Sequence, residues 1–304
     1  MNPILLGATA ALAWGAHDFA ARFAGTKIGV LTTLLCVTAT GLIALTLWLV
    51  VASNGFPAWQ PGHLWLVALM GTGFTLATLW LYEAITRGPF ALVSPIVGAY
   101  PVTALLFALA TGVRPSLDQW LAIAAVIAGV ALVALAAQEA PPEASDRITT
   151  ESDARPTAHA VRMTPNVFRS VLLFSALSHV GFAISITAGQ AAAPIYGELE
   201  ATWLARIFGL AIITAVVIAR RAARPVPVAW MPTLTGMGLA DTLAFAAVSA
   251  AGHAPGAELA TVVSSTFGMV AILLAWVFLR ERITPGQWMG IAIVFTGTAY
   301  LAGT

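Results

Sequence analysis

Ten stretches of mainly apolar residues take up most of this chain, at approximately 3–19, 28–51, 63–86, 91–111, 117–137, 167–188, 199–219, 228–250, 257–279 and 285–303. A helix needs roughly 20 such residues to cross the hydrocarbon of a bilayer. In lipid only helices and closed barrels satisfy their own backbone polar groups. The runs here are continuously apolar and do not alternate, so they do not read as barrel strands. Charge leads to the same class: only 9% of the 304 residues are charged, against about 25% in a soluble domain. Too little charge is left to cover a water-facing surface. The fold expected is an all-α integral membrane protein with ten transmembrane helices.

The runs are separated by turn and charge signals such as Lys27, Asn54-Gly55, Arg87-Gly88-Pro89, Arg114-Pro115, Arg220-Arg221 and Arg280-Glu281-Arg282. Between the fifth and sixth runs lies a segment rich in Pro, Glu, Ser, Thr and Arg, without an aromatic residue. It cannot bury enough apolar surface to offset its ordering entropy, so 138–166 reads as a disordered linker. It divides the chain into 1–137 and 167–304, five runs each. The halves also resemble one another at a constant offset of 168: Arg114, Gln119, Trp120, Ile123, Ala124 and Gly129 align with Arg282, Gln287, Trp288, Ile291, Ala292 and Gly297. An odd number of spans in each half turns the second copy over in the membrane. Two inverted five-helix repeats around a central cavity are an architecture of many secondary transporters.

Lys and Arg set the orientation. Of 14 such residues, 12 follow odd-numbered runs, while only Arg114 follows an even-numbered one and Arg206 lies within a helix. The positive-inside rule places the linker in the cytoplasm and both termini outside. Met1-Asn2-Pro3 has no basic residue, so the first run reads as a span and not a cleaved signal. The formal net charge of +1 carries no nucleic-acid signal, and the single cysteine, Cys36, excludes an internal disulfide. No metal site and no cofactor is expected.

AWGAHDFAARFAG, YEAITRGPFALVSPIVGAYPV and VFLRERITPGQWMGIAIVFTGTAYL together resemble the drug/metabolite transporter superfamily, of the EamA type. The first is similar to the family's Trp-Gly start of helix one. The second is similar to its passage from helix three into a Pro-bearing helix four, and the third to its Gly-Glu-Arg-Leu and Gln-Trp-x-Gly repeat ending. Two departures stand out: Val113 replaces the acid that Glu281 represents in the second half, and Arg280 replaces the glycine before it. The resemblance implies export of amino acids, other metabolites or drugs from a bacterial cell across its inner membrane.

The polar residues within the runs are the candidates for function. Asp18 stands four before Arg22, and Glu83 four before Arg87, spacings that face each other on a helix. One reading makes Asp18 an acid near the cytoplasmic surface, neutralised by Arg22. The other gives it a cargo or proton role with Trp14 and His17. Arg206 and Asp241 fall at matching depths on adjacent antiparallel spans and form either a structural pair or a cargo site. Ser178, His179 and Ser185 in the sixth run and Ser265 in the ninth read as packing or as cavity lining. Trp80, Tyr82, Tyr100 and Trp203 read as cage or as interfacial anchors. Pro95 and Pro101 each remove a backbone donor in the fourth run.

No catalytic signature is found; Gly238-Leu239-Ala240-Asp241 only approximates the Gly-x-Gly-Asp of intramembrane proteases. The chain therefore reads as a secondary transporter of a small organic solute, not an enzyme, working as monomer or homodimer. A multidrug or organic-cation exporter and a non-transporting sensor or scaffold are the alternatives. The orientation is testable directly. A reporter fluorescent only in the cytoplasm, fused after Thr304, stays dark in cells; bright cells would overturn the Lys/Arg assignment.

Overall fold

The computed structural model describes residues 2–52, 56–57, 60–110, 114–139, 163–252, 260 and 263–303. The greater part of the expected linker, 140–162, lies outside them, as do Val113 and Thr261. Every regular element among the described residues is a helix. They are α1 (Pro3–Ile28), α2 (Val30–Ala52), α3 (Leu64–Ile85), α4 (Phe90–Gly98), α5 (Tyr100–Ala110), α6 (Leu117–Glu139), α7 (Pro165–Tyr196), α8 (Glu198–Ala219), α9 (Met231–Gly252), α10 (Phe267–Phe278) and α11 (Pro285–Ala302). Seven helical segments are long and apolar enough to cross a membrane by length and composition.

Local chemistry sets the helix ends, and it repeats. Asn2 caps α1 by accepting from the Ile4 N–H at 2.9 Å, with Pro3 at the first helical position. Thr164 and Pro165 start α7 in the same way. α1 stops at Gly29 with φ 96°, and α7 stops at Gly197 with φ 88°. Only glycine adopts that region without strain, and the two positions are 168 apart. At the start of α6 the Ser116 N–H donates to Gln119 Oε1 at 2.8 Å and the Gln119 N–H to Ser116 Oγ at 3.2 Å. At the start of α11 the Thr284 N–H donates to Gln287 Oε1 at 2.9 Å and the Gln287 N–H to Thr284 Oγ1 at 3.2 Å. The duplicated Gln of the sequence is thus half of a duplicated capping box.

Two expectations about the first and fourth spans change. The first span continues past Phe19 to Ile28. His17 and Asp18 are therefore about ten residues, or roughly 15 Å, from its end and buried well inside the bundle, not within a turn or two of the helix end as expected. Their mutual bond and burial let the helix pass through them. The fourth span is broken into α4 and α5 at Ala99, between Pro95 and Pro101.

The most extensive helix packings recur when the two halves are exchanged. α1 lies on α9 and α10, and α7 correspondingly lies on α3 and on α4–α5; α2 lies on α9, and α8 on α3. α2 packs on α8, and α6 on α11, each the counterpart of the other. Small residues bring the last pair together, as expected between helices in lipid. A Cβ at Gly290 would stand 2.8 Å from the Gly129 carbonyl oxygen and 2.7 Å from Val133 Cγ2. Both sides are rigid, so Gly290→Leu forces the helices apart. It costs about 1–3 kcal/mol or more, read as a lower unfolding midpoint in detergent; an unchanged midpoint would show that α6 and α11 separate freely.

Candidate functional site

Arg206 of α8 and Asp241 of α9 form an ion pair deep in the bundle, with relative exposures of 7% and 3%. Arg206 Nη2 donates to Asp241 Oδ2. The other carboxylate oxygen accepts from Trp14 Nε1 of α1 at 2.9 Å. Phe245 closes over both groups: its ring lies 5.3 Å edge-on from Trp14 and 5.8 Å from the Arg206 guanidinium carbon. Gly41 of α2 makes room for the arginine, because any Cβ there would strike Nη1. Four helices, two from each half, therefore hold one pair. Within it, Arg206 Nε is buried and has no acceptor.

A second polar chain starts three residues further along α1. His17 lies 3.1 Å from Asp18 Oδ1 through Nδ1 and 2.9 Å from the Tyr82 hydroxyl through Nε2. All three side chains are buried. Asp18 does not pair with Arg22, contrary to the interfacial reading. Arg22 instead reaches Glu281 at 2.7 Å and the Gly88 carbonyl at 3.1 Å. Glu281 also accepts from the Phe90 N–H at 3.0 Å, at the start of α4, where the helix dipole favours an anion. Burial pushes the Glu281 carboxyl up from its ordinary value, against the pull of Arg22 and of the Ala91 and Phe90 N–H groups. Glu83 and Arg87 meet at 2.6 Å, as their spacing predicted, partly exposed at the end of α3.

His17, Arg206 and Asp241 face one cavity at the junction of the two halves, walled by α1, α2, α3, α8 and α9. Its free space is about 30 Å³. A water needs roughly 10–15 Å³, whereas ligand pockets run to about 300–1,000 Å³. The space admits water and is too small for an organic solute. Leu34, Val37, Met70, Phe74 and Phe245 supply apolar wall, with Thr38, Thr75, Thr78 and Thr202 between them. None of these nine stood out in the sequence, where threonines and apolar residues at helical spacing are ordinary span composition.

The remaining sequence candidates lie elsewhere. Ser185 donates to the Met70 carbonyl at 2.9 Å, tying α7 to α3, and the Ser178 hydroxyl is buried without a partner. His179 Nδ1 lies 2.9 Å from the Ile96 carbonyl, beside the α4–α5 break, and Nε2 lies 2.6 Å from Thr103. Since a carbonyl only accepts, Nδ1 carries the hydrogen. This histidine covers backbone at the broken span. Trp203 donates to Thr46 at 2.9 Å and stacks near Phe56, while Tyr100 packs by Phe182. Trp80 and Ser265 are also outside the cavity lining, and Ser265 is buried.

The EamA-like transporter family model matches residues 1–135 and again 169–303, so its two copies cover nearly all of the chain. A solved structure titled only "Crystal structure of protein" is similar in fold. Its TM-score is 0.59 at 18% sequence identity, with 98% of this chain and 95% of that chain covered. No curated protein matches the sequence.

Removing one member of a buried pair leaves the other charge uncompensated, at about 3–5 kcal/mol. Asp241→Asn should therefore lower the unfolding midpoint in detergent markedly, while Arg206→Met with Asp241→Leu recovers most of the loss. A single variant as stable as the parent would show that the pair does not hold the bundle.

Proposed function

We propose that the chain, which belongs to the EamA-like transporter family, is a secondary transporter exporting an amino acid or a closely related zwitterion by alternating access. In this reading ten spans form two inverted five-helix repeats in a bacterial inner membrane, with both termini periplasmic. One observation carries it: an ion pair of opposite, separable charges faces a closed cavity between the halves. Ionisable groups at such depth are costly and mark solute pathways.

The chemistry of the pair suits a zwitterion. A guanidinium binds carboxylate through parallel N–H donors, and Arg206 Nε still lacks an acceptor. Asp241 accepts a cargo ammonium as readily as it accepts from Arg206. Swapping the internal pair for the two ends of a zwitterion keeps every charge paired, so opening leaves no buried charge alone. The apolar wall of Leu34, Val37, Met70, Phe74 and Phe245 fits an uncharged, apolar side chain. The sequence shows no nucleotide-binding loop, so uphill movement draws on an ion gradient or exchange.

Aromatic rings around Asp241 also suit an organic cation, which gives the competing outcome. Purified protein in liposomes is tested for uptake of radiolabelled L-leucine, L-phenylalanine, L-lysine, L-glutamate and tetraphenylphosphonium. Leucine or phenylalanine should move above protein-free vesicles, and Arg206→Met with Asp241→Leu should abolish this in a stable protein. Movement of tetraphenylphosphonium alone would make the chain a cation exporter. Movement of none would remove the transport reading.

A further inference from the structure

The Tyr82–His17–Asp18 chain is not needed to hold a zwitterion, and its cost requires another reason. Four ionisable groups meet at one depth: His17, Asp18, Arg206 and Asp241, each no more than 7% exposed. Arg206 neutralises Asp241. Among the described residues Asp18 pairs with no such cation, since Arg22 is engaged with Glu281 and Gly88. With His17 neutral the cluster carries one uncompensated negative charge; with one proton added it carries none. Hydrocarbon surroundings make that difference large.

The groups facing His17 complete the account. Asp18 comes from its own helix, Tyr82 from α3, Arg206 from α8 and Asp241 from α9. α10, which also packs on α1, carries no titratable side chain. α2 brings Leu34, Val37 and Thr38 to the cavity. His17 is the one group among them that takes up a proton near neutral pH without leaving its partners.

We infer that His17, held between Asp18 and Tyr82, is a proton-binding site that controls whether the Arg206–Asp241 pair opens to cargo. In the neutral ring Nδ1–H donates to Asp18 and Nε2 accepts from the Tyr82 hydroxyl. One proton taken up from water adds to Nε2. The ring becomes imidazolium, Nδ1–H stays on Asp18, and the Tyr82 oxygen turns from donor to acceptor. The new positive charge lies across the cavity from Asp241 and shares its negative charge. Asp241 then holds Arg206 less firmly, and the guanidinium is released for a carboxylate. Proton and zwitterion thus favour each other, and the linkage is reciprocal.

Two measurements on the full chain in lipid nanodiscs test this. The first follows the imidazole nitrogens of ¹⁵N-histidine-labelled protein, with the His17 signal identified by its loss in His17→Gln. His17 should titrate reversibly between about pH 5 and 8, and Asp18→Asn should weaken its proton affinity by roughly tenfold or more. A His17 that does not titrate there, or that ignores Asp18→Asn, overturns the site.

The second measures equilibrium binding of ¹⁴C-L-leucine. Binding should be roughly tenfold tighter near pH 5.5 than near pH 8, and Asp18→Asn or Tyr82→Phe should flatten that dependence. Leucine binding that is equal at both pH values overturns the coupling. This arm alone rests on the zwitterion reading. If leucine binds at neither pH, that reading fails, and the histidine titration still decides the proton site.

Discussion

An ion pair in hydrocarbon is held only as firmly as the helices that carry it. Arg206 and Asp241 lie on α8 and α9, yet their geometry depends on two helices of the other half. α1 supplies the Trp14 indole, and α2 supplies the absence of a side chain at Gly41. Solvation of these charges by water is replaced by fixed donors and rings. Displacing α1 or α2 changes the environment of the charges, so the cavity and the relative position of the two halves are physically the same variable.

The scaffold around the pair is duplicated, and the chemistry is not. Gly29 and Gly197, the two capping boxes, and Gly129 of α6 with Gly297 of α11 all recur at the offset of 168. At the same offset Arg206 corresponds to Thr38, Asp241 to Gly73, and His17 to Ser185. Caps and close approaches serve each copy equally, since each copy must satisfy the same backbone and pack the same helices. The single central cavity is lined by one cation, one carboxylate and one imidazole. Duplicating them would bury a second set of charges, at a desolvation cost that pairing does not fully return.

The end of the bundle that carries Arg22 is tied differently from its middle. Arg22, the Gly88 carbonyl, the Phe90 N–H and Glu281 join α1, the start of α4 and the segment after α10. Glu281 is more accessible to water than the central acids, and its partners include backbone that no side-chain substitution removes. The acid that the sequence shows in only one half thus ties the two halves together at one end.

The apolar runs, the duplication and the helical class were determined by composition and spacing, because a lipid solvent leaves a chain few ways to satisfy its backbone. The Glu83–Arg87 pair followed from a four-residue spacing, and Arg206 with Asp241 from depth alone. Asp18 and Arg22 have that same spacing and do not pair. Helical neighbours compete with partners from other helices, and Glu281 and His17 offered better geometry. Nor did spacing reveal that Gln119 and Gln287 are caps or that Gly41 receives an arginine. Which side chains share the cavity was decided by tertiary structure alone, because that depends on the rotation of five packed helices about their own axes. In a sequence so uniformly apolar, no hydrophobic stripe records that rotation; close packing of small residues sets it.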